Sequence, residues 1–187
     1  MKLAFRLLLI LLPLGGMAQT PQDSLRVLWV GNSFSYCNDL PGMVQKIAST
    51  QKVKLSCTRF LKGGERFSGH LKNKKLLQAI ADGGWDYVVL QEQSTAPAMP
   101  TGQVAREVYP AARTLDSLVH AASPDARVIF YMTWGHKYGN RKPVAEYPLS
   151  NGYEGMQERL KTSYLEMAYD CLLYTSPSPR DMRRSRM

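Results

Sequence analysis

Apolar positions along this chain follow two alternating rhythms. Residues 26–30, 53–61, 87–90 and 128–132 are short, nearly continuous apolar runs, a pattern that suits strands covered on both faces. Between them the spacing is helical. Leu40, Met43, Val44 and Ile47 share one face behind an Asn38-Asp39 cap, with Pro41 in the first turn. Leu76, Leu77 and Ile80 predict a shorter helix closed by Gly83-Gly84. Val104, Val108, Ala111, Ala112, Leu115, Leu118 and Val119 predict one long helix that stops at Ser123-Pro124. Tyr153, Met156, Leu160, Tyr164 and Met167 carry the same period into a last one.

Alternating strands and helices predict an α/β domain: a mostly parallel sheet with right-handed crossovers and helices on both faces. In such folds ligands sit beyond the carboxyl ends of the strands. The unusual polar segments fall there. Gly31-Asn32-Ser33 follows the first strand and Lys62-Gly63-Gly64 the second, while Gln91-Glu92-Gln93-Ser94 follows the third and Thr133-Trp134-Gly135-His136 the fourth.

The two ends of the chain break this pattern. Lys2 and Arg6 precede an apolar run from Leu7 to Leu14, followed by the small residues Gly16 and Ala18, so residues 1–18 read as an export signal. The run is too short for a comfortable membrane span. The mature protein is therefore expected outside the cytoplasm, secreted or periplasmic, with no stable membrane insertion. Residues 171–187, rich in Ser, Pro and Arg, are expected to be a disordered tail or translated sequencing-adapter readthrough, which leaves 19–170 as the domain. Of the formal charge of +9, the first eighteen residues hold +2 and the last seventeen +3, leaving +4 for the domain. Its basic residues are scattered apart from Lys72, Lys74 and Lys75, which argues against a nucleic-acid partner. Three cysteines make no disulfide framework, although Cys37 and Cys57 could pair, and no Cys or His spacing suggests a structural metal.

The chemistry centres on Val27-Leu28-Trp29-Val30-Gly31-Asn32-Ser33. Ser33 is either a nucleophile at the end of a buried strand or a polar residue where a strand turns into a helix. A hydroxyl nucleophile needs exposure on a tight turn, a base, and donors for the developing oxyanion. Gly31 permits the turn, Gly63-Gly64 exposes backbone N–H groups, and a glutamine amide after the third strand supplies a further donor. A lone carboxylate such as Glu92 reads as a solvated or hydrogen-bonded loop residue.

Gly31-Asn32-Ser33-Phe34-Ser35 resembles the nucleophile block of the SGNH/GDSL hydrolases, whose usual form is Gly-Asp-Ser-Leu. With the later segments GGERFSGH, WDYVVLQEQS and MTWG, the chain is similar to a secreted bacterial branch of SGNH-like proteins from about residue 26 to 170. The resemblance implies a three-layer α/β/α flavodoxin-like fold that hydrolyses esters through a serine acyl-enzyme, without metal or organic cofactor. It implies Ser33 as nucleophile, Gly64 (or neighbouring Gly63) as an oxyanion donor, and Gln93 in place of the family's asparagine donor. Asn32, Gly63, Gln91, Trp134, His136 and His70 are the candidate substrate-binding residues, and the implied substrate is a small-molecule or glycan ester.

The family takes its base from an Asp-x-x-His block near the domain's C-terminus, which this sequence does not show. His120 follows Leu118 and Val119 on a helix and is expected at a surface or cap. His70 is expected to open a helix near the glycine pair and could line the pocket, and His136, after the fourth strand, could contact substrate; for each, a packing, capping or binding role is set above that of general base. The simplest expectation is a hydrolase domain without its C-terminal part, inactive as written and leaving apolar surface on the last helix or sheet edge. The alternatives are a non-catalytic ligand-binding module on the same fold and, more weakly, a phosphate-binding flavodoxin-like protein, whose glycine-rich spacing is absent.

Overall fold

The computed structural model describes residues 24–140 and 152–175, with backbone alone for 172–175. The expected export signal and most of the basic tail lie outside the described residues. The elements run β1 (Leu25–Gly31), α1 (Ser33–Tyr36), α2 (Leu40–Thr50), β2 (Leu55–Leu61), α3 (Phe67–His70), α4 (Lys74–Ala81), β3 (Tyr87–Leu90), a 3-10 turn (Ala96–Ala98), α5 (Thr101–Glu107), α6 (Tyr109–Ala122), β4 (Arg127–Phe130) and α7 (Tyr153–Thr175).

The four strands form one parallel sheet in the order β2-β1-β3-β4. Each strand sends alternate residues to opposite faces. Leu28, Val30, Val88 and Leu90 enter the larger core with Leu76, Ile80, Leu115, Val119, Leu160 and Met167 from α4, α6 and α7. Val27, Trp29 and Val89 face the other way, toward Leu40 and Val44 of α2. This is the expected α/β/α sandwich. Gly31 lies opposite Leu61, Val30 opposite Leu90, and Leu90 opposite Phe130. All four polar segments therefore leave the sheet at the same rim.

The structure departs from the expected elements at three places. The long helix over 104–119 is two helices, because Pro110 in the first turn of α6 has no N–H to continue the ladder, and Val108 serves as both C-cap of α5 and N-cap of α6. His70 closes a one-turn helix instead of opening one, and the next begins after Asn73, whose side chain caps Lys75 and Leu76. The last helix continues past Asp170, with Cys171 buried. None of Cys37, Cys57 and Cys171 forms a disulfide among the described residues.

Among the described residues β4 pairs with β3 alone. An apolar groove of about 690 Å³ lies beside it, lined by residues including Val128, Phe130, Met132, Leu165 and Cys171. On the opposite face Val27, Trp29, Val89, Ile129 and Tyr131 line a second groove, of about 430 Å³. No helix among the described residues is long and apolar enough to cross a membrane.

Leu115 is fully buried whereas Leu118, one turn along α6, is 39% exposed. Leu115→Ala should lower the unfolding free energy by about 3 kcal/mol, whereas Leu118→Ala should change it by less than about 0.5 kcal/mol. Urea titration of the two variants checks the pair.

Candidate active site

The rim of the sheet is organised around Asn32. Its backbone N–H donates to Gln91 Oε1 at 3.0 Å, and its Nδ2 donates to the carbonyls of Glu65 at 3.0 Å and Glu92 at 3.3 Å. Its Oδ1 accepts from Phe34 N–H at 3.2 Å, which caps α1. One buried side chain thus ties the segments following β1, β2 and β3 to each other. Ser33 follows Asn32, Gly64 precedes Glu65 and Gln93 follows Glu92. The three expected reacting groups are chain neighbours of three residues joined by hydrogen bonds.

Ser33 is the first residue of α1 and is partly exposed. Neither its hydroxyl nor its N–H has a hydrogen-bond partner among the described residues. An N–H in the first turn of a helix is an orphan donor, free for a ligand. Gly64 has φ +67°, a left-handed conformation that favours glycine, and a Cβ there would meet nothing within 4 Å. The backbone conformation, and not crowding, therefore calls for glycine. The N–H groups of Gly63 and Gly64 likewise donate to no described residue.

Gln93 is held by its oxygen. Oε1 accepts from Thr95 N, Thr95 Oγ1 and Ala96 N, each at 2.9 Å, while Nε2 has only Ser94 Oγ at 3.4 Å. Three donors on one atom assign it as the carbonyl oxygen and leave amide hydrogen-bonding capacity on the nitrogen. The extra methylene relative to asparagine does not leave the group loose, because it caps the turn that follows.

Asn32, Gln91 and His70, expected to touch substrate, instead stand behind the site. Gln91 is fully buried, accepting from Asn32 N and, at 3.0 Å, from Ser35 Oγ, while its Nε2 donates to the Glu92 carbonyl. Gly31 makes room for it, since a Cβ there would lie 2.8 Å from Gln91 Oε1. His70 is buried with Nε2 at 2.9 Å from the Gly31 carbonyl. A carbonyl can only accept, so Nε2 carries the proton, and burial pushes the imidazole pKa down. This ring is a neutral strut under the end of β1, unavailable as a base through that nitrogen. His120 is on α6, with Nδ1 at 3.0 Å from the Asp116 carbonyl.

Trp134 and His136 do stand at the surface of the rim. The Trp134 ring packs on Phe34 with centroids 4.5 Å apart. His136 lines a cavity of about 400 Å³ with Lys137, Tyr138, Gly139 and Asn140.

Of the two readings of Glu92, solvated or hydrogen-bonded, the structure shows the second, and adds a burial that the sequence reading missed. Glu92 is almost fully buried, and its carboxylate accepts from Gln93 N at 2.6 Å and Phe67 N at 3.2 Å. Its own N–H donates to Tyr164 Oη at 3.2 Å. Burial lifts its pKa to about 7 despite these donors. The only sequence signal was its place directly after a buried strand, between two amides.

A carboxyl pKa raised in the folded state means that the native protein holds the proton longer than the unfolded chain, so stability falls as pH rises from the unfolded value toward 7. The depressed pKa of His70 acts in the opposite sense below its unfolded value, so the comparison must be with Glu92→Gln. Between pH 4.5 and 7.5 the stability difference should move in favour of Glu92→Gln by about 3 kcal/mol. Denaturant titrations of parent and variant across that range give the curve. Gly31→Ala should cost about 1–3 kcal/mol at any pH, through the clash with Gln91.

No protein-family model matches this chain, and no curated protein matches it in sequence. Solved structures do share its fold. The psychrotrophic esterase EstA from Pseudoalteromonas sp. superposes with a TM-score of 0.54 at 12% identity, over 78% of this chain and 73% of that one. The acetyl xylan esterase AlAXEase gives 0.54 at 14% identity, over 79% and 74%. The extracellular lipase from Streptomyces rimosus gives 0.50 at 11%, over 81% and 77%. The parallel four-stranded sheet and its flanking helices have the fold of these esterases and lipases.

Proposed function

We propose that this chain carries the nucleophile and oxyanion-binding part of an exported serine ester hydrolase that works through an acyl-enzyme. The observation that carries the reading is the Asn32 side chain, which binds the loops of Ser33, Gly64 and Gln93 into one rim. Ser33 Oγ attacks the ester carbonyl as its proton passes to a base. The ester C–O bond breaks and the alcohol leaves with that proton, and water then releases the acyl group from Ser33 as the acid. The Ser33 and Gly64 N–H groups and Gln93 Nε2 receive the oxygen on which charge develops. Donors already fixed before reaction stabilise that charge without reorganising. The esterase names of the structural neighbours agree with this reading, and the acetyl xylan esterase among them suggests a small acyl group.

The base is the missing part. No histidine is hydrogen-bonded to Ser33 among the described residues, and His70 is committed to the Gly31 carbonyl. We propose that the base comes from an Asp-x-x-His block outside these 187 residues, so that the chain as given is catalytically silent. Without a base the serine stays near its intrinsic reactivity. That same observation favours a second reading, a ligand-binding module that keeps the rim and has no base at all.

The two readings separate in one experiment. In a polypeptide extended along the natural coding sequence, a fluorophosphonate should label Ser33, and Ser33→Ala should lower hydrolysis of p-nitrophenyl acetate by about 10³-fold or more with an unchanged melting temperature. Hydrolysis that survives Ser33→Ala at the parental rate overturns the nucleophile assignment. An extended protein with no label and no turnover is the binding module.

A further inference from the structure

Trp134 is 48% exposed, whereas Trp29 and Trp85 are 5% and 6% exposed. Its loop is nevertheless firmly held. Gly135 N–H donates to Gln157 Oε1 at 2.8 Å and His136 N–H to Met156 Sδ at 3.3 Å. A Cβ on Gly135 would come within 3.0 Å of the Tyr153 carbonyl, so the loop backbone lies against the first turn of α7. The indole itself rests on Phe34 at an interplanar angle of 47°, and Phe34 is the residue after Ser33. The same loop continues into a turn closed by Gly139 N–H on the His136 carbonyl at 2.8 Å, whose cavity offers an imidazole, an ammonium, a phenol and a carboxamide. An open aromatic surface beside the candidate nucleophile thus runs into a polar rim.

We propose that Phe34 and Trp134 form a stacking platform for a pyranose ring, so that the ester presented to Ser33 is carried on a neutral glycan. A sugar has an apolar C–H face ringed by hydroxyls, and it asks for an aromatic surface with hydrogen-bonding groups at its margin. A long acyl chain asks for an enclosed apolar channel. The two apolar grooves described above lie elsewhere, between α6, β4 and α7 and over the α2 face of the sheet, and Ser33, Phe34 and Trp134 line neither. The ester part of this assignment rests on the hydrolase reading of Ser33. The platform binds a glycan whether or not Ser33 reacts.

Titration of the chain with xylotetraose, cellotetraose and chitotetraose tests this. Because the other two tryptophans are buried, a change in intrinsic fluorescence reports on Trp134. At least one sugar should give a saturable change, and calorimetry should show binding weakened at least about tenfold by Trp134→Ala but by less than about fivefold by Trp134→Tyr. Ser33→Ala should bind as the parent does, which keeps failure of the platform distinct from failure of the hydrolase reading. The proposal is overturned if no sugar binds at concentrations up to about 50 mM, if Trp134→Ala binds as tightly as the parent, or if decanoate perturbs Trp134 where the sugars do not.

Discussion

Everything at the rim depends on the hydrogen bonds of Asn32. Because β1 lies between β2 and β3, the residue that follows it is the one placed to reach the loops on both sides. Asparagine suits the position because its carboxamide donates and accepts at once. The nitrogen takes two carbonyls from neighbouring loops while the oxygen starts the helix that carries Ser33. A carboxylate could accept the helix N–H but could not donate to the two carbonyls.

Behind this residue lies a polar layer that has no access to substrate. Gln91, Glu92 and His70 are buried, and each spends its polar atoms on the backbone or side chains of the rim. Buried polar groups are costly unless satisfied, but a satisfied network fixes one arrangement against its competitors. Here that arrangement leaves donors available: the N–H groups of Ser33, Gly63 and Gly64, which have no partner among the described residues, and the amide of Gln93, held only by Ser94 Oγ at 3.4 Å. The layer holds the donors still, and the donors stay free because the layer needs none of them. Glu92 gives this layer a charge near neutral pH, and its carboxylate joins the start of α3 to the loop after β3.

The proposed chemistry and the proposed recognition stand on different loops of the rim. Ser33, Gly64 and Gln93 belong to loops stitched together over β1, β2 and β3. Trp134 belongs to the loop after β4, which is fastened to α7 through Gln157 and Met156. The contact between Phe34 and Trp134 joins the two, and so does Tyr164 of α7, whose hydroxyl accepts from the N–H of Glu92.

The order of strands and helices, the parallel sheet and the segments that meet at its rim were legible in the chain, because strand and helix periods are local and ligand loops in such sheets follow strand ends. The Gly-Asn-Ser and Gly-Gly signals also marked the places where Ser33 and Gly64 stand. The roles of Asn32, Gln91, His70 and Glu92 were not legible. Whether a polar residue after a strand meets solvent or a neighbouring loop depends on which strands lie beside it, and that is settled only when distant segments pack. The break at Pro110 shows the same division in reverse: a missing backbone N–H is written in the residue itself, yet the surrounding apolar period concealed it. Local sequence determined where the chain turns, while the packing of β1 between β2 and β3 decided which polar groups became structure and which stayed free to act.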